Sequence, residues 1–100
     1  MRVVFSAQAK AGLRGIALYI ARDNKARALS FVGELRQKAT DIGRNPLAYP
    51  LVPRFEDRRI RRRVFRDYLI FYRADADAVY IVHILHGAQD YEALLFPPNH

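Results

Sequence analysis

The chain has 100 residues, 51% of them hydrophobic and 27% charged, with no cysteine and a formal net charge of +7. This length and balance describe one globular domain able to bury about 60–65% of its unfolded surface, and they exclude a disulfide framework, thiolate metal sites and a cysteine nucleophile. No apolar run reaches membrane-spanning length, and Val3 to Phe5 is far too short for a signal-peptide core, so the expected location is cytoplasmic.

The charge is unevenly spread. Residues 1–73 hold all 17 Lys and Arg against six acids, a net +11, whereas residues 74–100 hold four acids and no Lys or Arg, a net −4. Attraction to an anionic surface is therefore built into the first three quarters, and any function in the tail works without a permanent cation.

In chain order, "RVVF" at residues 2–5 reads as a short strand. Ser6 is a good helix N-cap, and Ala9, Leu13, Ile16, Ala17 and Ile20 follow at helical spacing, predicting an amphipathic helix to about Arg22. Asn24 offers a second cap. Ala28, Phe31 or Val32, Leu35, Ala39 and Ile42 then repeat the spacing until Gly43, with Pro46 behind it as a stop. So short a connection makes the two helices antiparallel neighbours. Beyond the proline-punctuated loop "NPLAYPLVPRFEDR", the segments "RRRVFR", "YLIFYRA" and "AVYIVHILH" are rich in β-branched and aromatic residues. Turns at Arg66-Asp67 and Asp75-Ala76-Asp77 join them into an antiparallel meander. Asp90 caps a last short helix, "YEALL", ahead of Pro97-Pro98. The prediction is a single α+β domain over residues 1–100, a helical hairpin packed on a small antiparallel sheet in the order β-αα-βββ-α.

In the strand 68–73, Tyr68, Ile70 and Tyr72 share one face and Leu69, Phe71 and Arg73 the other, so both faces are largely apolar. The hairpin covers one of them. Only the short C-terminal helix remains for the other, which predicts an incompletely covered apolar surface awaiting a protein partner, unless the tail closes it alone.

Little in the chain speaks for bound cofactors. His83 and His86 are three apart in a strand, hence on opposite faces, and His100 is terminal, so no metal set forms and no cofactor is implied. There is no glycine-rich phosphate loop and no nucleophile elbow, and Asp75 and Asp77 read as solvated turn formers. The strong signal is "RRIRRRVFRDYLIFYR" at 58–73, arginines interleaved with aromatics. Three uses are open: a charged edge strand that discourages aggregation, a nonspecific phosphate grip, or a docking surface for an acidic protein.

The stretches "GLRGIALYIARDN", "RALSFVGELRQKATDIGRNPLAYP", "VFRDYLIFYR" and "VYIVHILHGAQDYEALL" together resemble the RelE/ParE superfamily of type II toxin–antitoxin toxins, most closely its ParE branch. The resemblance spans about residues 3 to 95 and rests most on "YLIFYR" and "ILHGAQD", with Tyr19-Ile20 and Pro46, Tyr49 and Pro50 in support. It implies a basic toxin neutralised by an acidic cognate antitoxin, which would lie in the helix–sheet groove and across the arginine-rich surface. No membrane association and no sequence-specific nucleic-acid binding of its own are implied.

The branches differ in mechanism. RelE-like members cut ribosome-bound mRNA, using basic residues to orient the phosphate and a group near the C-terminus for proton transfer. Where those nucleases keep a strand arginine this chain has Leu69, and its tail has Gln89 and no Lys or Arg. His83, His86 and Tyr91 are the candidates if the chain is nonetheless an endoribonuclease. ParE-like members instead inhibit or poison DNA gyrase by binding it, without catalysis. On that reading His86, Gln89, Asp90 and Tyr91 are the expected target-contact residues, and Arg61, Arg63, Arg73 and His83 the expected antitoxin-contact residues. ParE-like members commonly carry an arginine after "HGA", the place of Gln89 here.

Overall fold

The computed structural model describes residues 1–95; Pro97, Pro98 and His100 lie outside them. The element order is β1 (Arg2–Phe5), α1 (Ala7–Ala21), α2 (Lys25–Asp41), two short 3-10 turns, β2 (Ile60–Phe65), β3 (Tyr68–Ala74), β4 (Ala78–His86) and α3 (Tyr91–Leu95). This is the α+β order read from the sequence. Both expected caps operate: Ser6 Oγ accepts from the Ala9 N–H at 2.9 Å, and Asn24 Oδ1 from the Arg27 N–H at 2.9 Å.

The sheet runs β1-β4-β3-β2. β2, β3 and β4 form the expected antiparallel meander, and β1 adds in parallel beside β4, pairing Arg2 with Ala78 through to Phe5 with Ile81. The sheet is therefore mixed. The junction after β1 is pinned to β4 twice, by Ser6 N–H donating to the Ile81 carbonyl at 3.0 Å and Ser6 Oγ donating to the Val82 carbonyl at 2.7 Å. Val82 is the extra residue of a bulge, since Phe71 pairs with His83 and Tyr72 with Ile81.

The main core lies between the hairpin and the sheet, where Ala9, Leu13, Ile16, Phe31, Leu35 and Ala39 meet Ile70, Tyr72, Val79, Ile81 and Ile84. Tyr72 is fully buried, and its hydroxyl donates to the Pro46 carbonyl at 2.6 Å, tying the proline loop to the sheet.

The opposite face is closed, which corrects the expectation of an uncovered apolar surface. Val52, Ile60, Leu69, Phe71 and Leu85 form a second core, none more than 9% exposed, with Phe55, Val82, Tyr91 and Leu95 packed on it. The cover comes from two places: Tyr91 and Leu95 of α3, and Val52 and Phe55 from the loop that the sequence reading treated only as a connection.

Candidate functional site

A glycine sets how closely α1 meets β4. α1 approaches β4 so closely at Gly12 that an added Cβ would overlap the Ile84 carbonyl oxygen, whereas nothing lies within 4 Å of the position a Cβ would take at Gly15. Beside that contact lies an open groove of about 750 Å³. Gly12, Gly15, Ile16, Ile84 and Leu85 line it, together with the polar groups Tyr19, Asp67, Tyr68, His86 and Gln89. This volume suits an inserted side chain or small ligand with a few directional hydrogen bonds.

The groove's aromatic wall is ordered from the core outward. Phe31 of α2 lies 5.3 Å from the Tyr68 ring, and Tyr68 meets the His86 ring edge-on at 5.2 Å. Burial, followed by the neighbouring Tyr19 and Asp67, raises the Tyr68 hydroxyl above its ordinary value of 10.0, so it is a hydrogen-bond donor at neutral pH. His86 Nδ1 accepts from the Ala88 N–H at 3.1 Å, which places the proton of the neutral imidazole on Nε2. Gln89 Oε1 accepts from the His86 N–H at 3.1 Å, and the Gly87 N–H donates to the Asp67 carbonyl at 2.8 Å. The turn after β4 is thus held from within, with His86 and Gln89 both presented to the groove.

Of the four expected target-contact residues, His86 and Gln89 are brought together here and the other two are not. Asp90 caps α3 by accepting from the Ala93 N–H at 3.4 Å. Tyr91 stacks on Phe71 at 5.1 Å, on the far face of the sheet. His83 pairs with Phe71 and so shares that far face, half-buried, its pKa pushed below 6.5 by burial. His86, paired with Tyr68, faces the hairpin side. The three residues considered for a nuclease therefore divide between the two sides of the sheet. Tyr19 was missed as a groove residue in its own right; it is 64% exposed, and its signal was a large aromatic standing off the apolar stripe of α1.

The family model for the ParE toxin of the type II toxin–antitoxin system, parDE, matches residues 3–91. The chain belongs to the ParE toxin family. Among solved structures this ParE-family toxin is similar to a chain of the chromosomal ParDE TA system from P. aeruginosa, with a TM-score of 0.70 over 86% of this chain and 95% of that one. At 18% identity the likeness is one of fold. No curated protein matches the sequence.

In this ParE-family toxin the arginine run is partly spent on its own fold. Arg61 donates to the Tyr49 carbonyl at 2.7 Å, and Arg63 to the Lys38 carbonyl at 2.8 Å while lying over the Tyr49 ring at 4.9 Å. Arg73 and Arg59 share Asp75, at 3.1 and 3.3 Å, closing the β3–β4 turn onto the segment before β2. Of the expected antitoxin-contact residues, Arg61 and Arg63 face the hairpin side, while Arg73 and His83 sit on the far face. Leu69, at the position where RelE-like nucleases keep an arginine, is 9% exposed within the second core.

Among the described residues no group of three or more His, Cys, Asp or Glu is arranged to hold a metal, and no helix is long and apolar enough to cross a membrane.

Proposed function

We propose that this ParE-family toxin inhibits DNA gyrase by direct binding and is neutralised by an acidic cognate antitoxin in the cytoplasm. The observation that carries the reading is the ParE family match over residues 3–91. The antitoxin follows from the paired system to which the similar P. aeruginosa chain belongs and from the net +11 of residues 1–73, a surface suited to an acidic partner.

Binding rather than catalysis is supported by the far-face chemistry. A phosphodiester transition state calls for a cation beside the developing charge, and the relevant strand position is the buried Leu69. His86 stands across the sheet from His83 and Tyr91, so an acid and a base drawn from these three would not all meet on one substrate. For target contact the groove rim is the proposed surface: His86 and Gln89 touch the target, while Asp90 and Tyr91 hold the segment in place. Arg61, Arg63, Arg73 and His83 remain the proposed antitoxin contacts.

The test is a supercoiling and cleavage assay with purified gyrase, ATP and plasmid. Loss of supercoiling or trapped linear DNA, relieved by the antitoxin, is the expected outcome. Unaffected gyrase at excess toxin, together with translation-dependent mRNA cleavage, would replace this reading with the endoribonuclease one.

A further inference from the structure

The groove beside Gly12 differs in charge from the rest of this basic molecule. No Lys or Arg lines it, and Asp67, exposed in the β2–β3 turn, supplies a carboxylate. That carboxylate is uncommitted. The five ion pairs among the described residues use Glu34, Asp75, Asp77 and Glu92, and no hydrogen bond of the fold ends on the Asp67 side chain. Its charge is nonetheless felt inside the groove: after burial and Tyr19, Asp67 is what raises the Tyr68 hydroxyl above 10.0.

The rings of the groove are free in the same sense. Among the described residues, those of Phe5, Phe31, Tyr49, Phe65 and Tyr80 each carry an Arg or Lys of the chain at 4.9 to 5.8 Å. None stands over Tyr19 or Tyr68, the two tyrosines that line the groove. A molecule that seats its own cations on five rings thus leaves two tyrosines and a carboxylate together without one.

This set selects among guests. An anion would meet Asp67 at close range, and an apolar side chain would strip water from the carboxylate and hydroxyls without replacing it. An arginine side chain answers both groups, because its planar guanidinium lies flat on a tyrosine while its fork donates twice to a carboxylate. We propose that the groove receives an arginine side chain of the gyrase target, its guanidinium against Tyr19 and Tyr68 and paired with Asp67. This rests on the gyrase reading proposed above, and it seats the guest beside the His86 and Gln89 contacts.

The test uses full-length toxin and purified gyrase, with affinity read by biolayer interferometry and potency by the supercoiling assay. Asp67→Asn keeps the side chain's shape and suits the same turn, so only the charge is lost. It should weaken binding at least about fivefold, as loss of a charged hydrogen-bond acceptor does. General electrostatics predicts the opposite sign: a toxin of net charge +7 made more positive would bind an acidic surface or a phosphate backbone more tightly. Tyr19→Leu should cost a similar factor, whereas Tyr19→Phe, which keeps the ring face, should stay within about twofold of the unaltered toxin. Unchanged melting temperatures check that the variants fold. Asp67→Asn binding gyrase as tightly as the unaltered toxin, or more tightly, would overturn the arginine site and leave the gyrase reading standing. Equal losses in Tyr19→Phe and Tyr19→Leu would overturn the stacking. Unaltered toxin that neither binds nor inhibits gyrase would overturn the gyrase reading, and the guest with it.

Discussion

Gly12 and Gly15 sit one turn apart on α1, and changing each to alanine separates helix propensity from packing. Either substitution gains about 0.8–1 kcal/mol of propensity. At Gly15 nothing stands within 4 Å of the new methyl, so the whole gain is realised, and the melting temperature should rise by about 3–8 °C for a domain of this size. At Gly12 the methyl overlaps the carbonyl oxygen of Ile84. That oxygen belongs to the main chain of β4, which at Ile84 is held in register with Ile70 of β3, so displacing it would disturb the ladder and α1 must back away from the sheet. Overpacking of this kind costs about 1–3 kcal/mol, which cancels or exceeds the propensity gain. The gap between the variants should therefore be about 1–3 kcal/mol, read by thermal and urea melts in one buffer. A Gly12→Ala protein melting as high as Gly15→Ala would refute the close approach of α1 to β4 beside which the groove lies.

Tyr72→Phe should destabilise the fold by about 1–2 kcal/mol in urea melts, because the Pro46 carbonyl loses its 2.6 Å donor; no change would mean the proline loop is not held by this bond. Burial lowers the His83 pKa below 6.5, so its contribution to stability is complete above pH 6.5 and is lost as pH falls through 6.5 toward the depressed folded value. The melting temperature should accordingly drop between pH 7.5 and 5.5, and less so in His83→Gln; equal drops would assign the effect to other groups. His86→Ala should cut gyrase inhibition at least about tenfold, as loss of a central contact does, with the melting temperature little changed. Full potency would remove His86 from the target surface.

Periodicity carried most of the fold. The stripes beginning at Ala9 and Ala28 and the caps Ser6 and Asn24 are local signals, and the helices start where those signals say. The partner of β1 had no such signal, because four residues of alternating strand do not name a neighbour across the chain. The second core was misjudged for a related reason: Val52 and Phe55 lie in an irregular segment with no period to mark them as inward-facing, yet they help bury Phe71 completely. The site was only half visible. His86 and Gln89 stood out near a recognisable tail, but their meeting with Tyr19 joins segments about 67 residues apart and depends on the Gly12 contact. The arginine run looked uniform in sequence. Its members differ because strand alternation, the bridge from Leu51 to Arg61 and one aspartate at position 75 send them to different partners.

The strand order has a consequence for how the molecule comes into being. β4 is the last strand to leave the ribosome, yet it is an interior one, flanked by the first strand and the third. Until residues 78–86 have emerged, β1 has no neighbour, Ser6 has no carbonyl to hold, and the inner face of α1 has no sheet to rest on. A chain cut short before that point has the helical hairpin and the β2–β3 pair but lacks the strand on which α1 rests, so the apolar side of α1 stays in water. The groove, lined by residues from 12–19, 67–68 and 84–89, is among the last features to exist, so the target binding proposed for it would begin only with a nearly finished polypeptide.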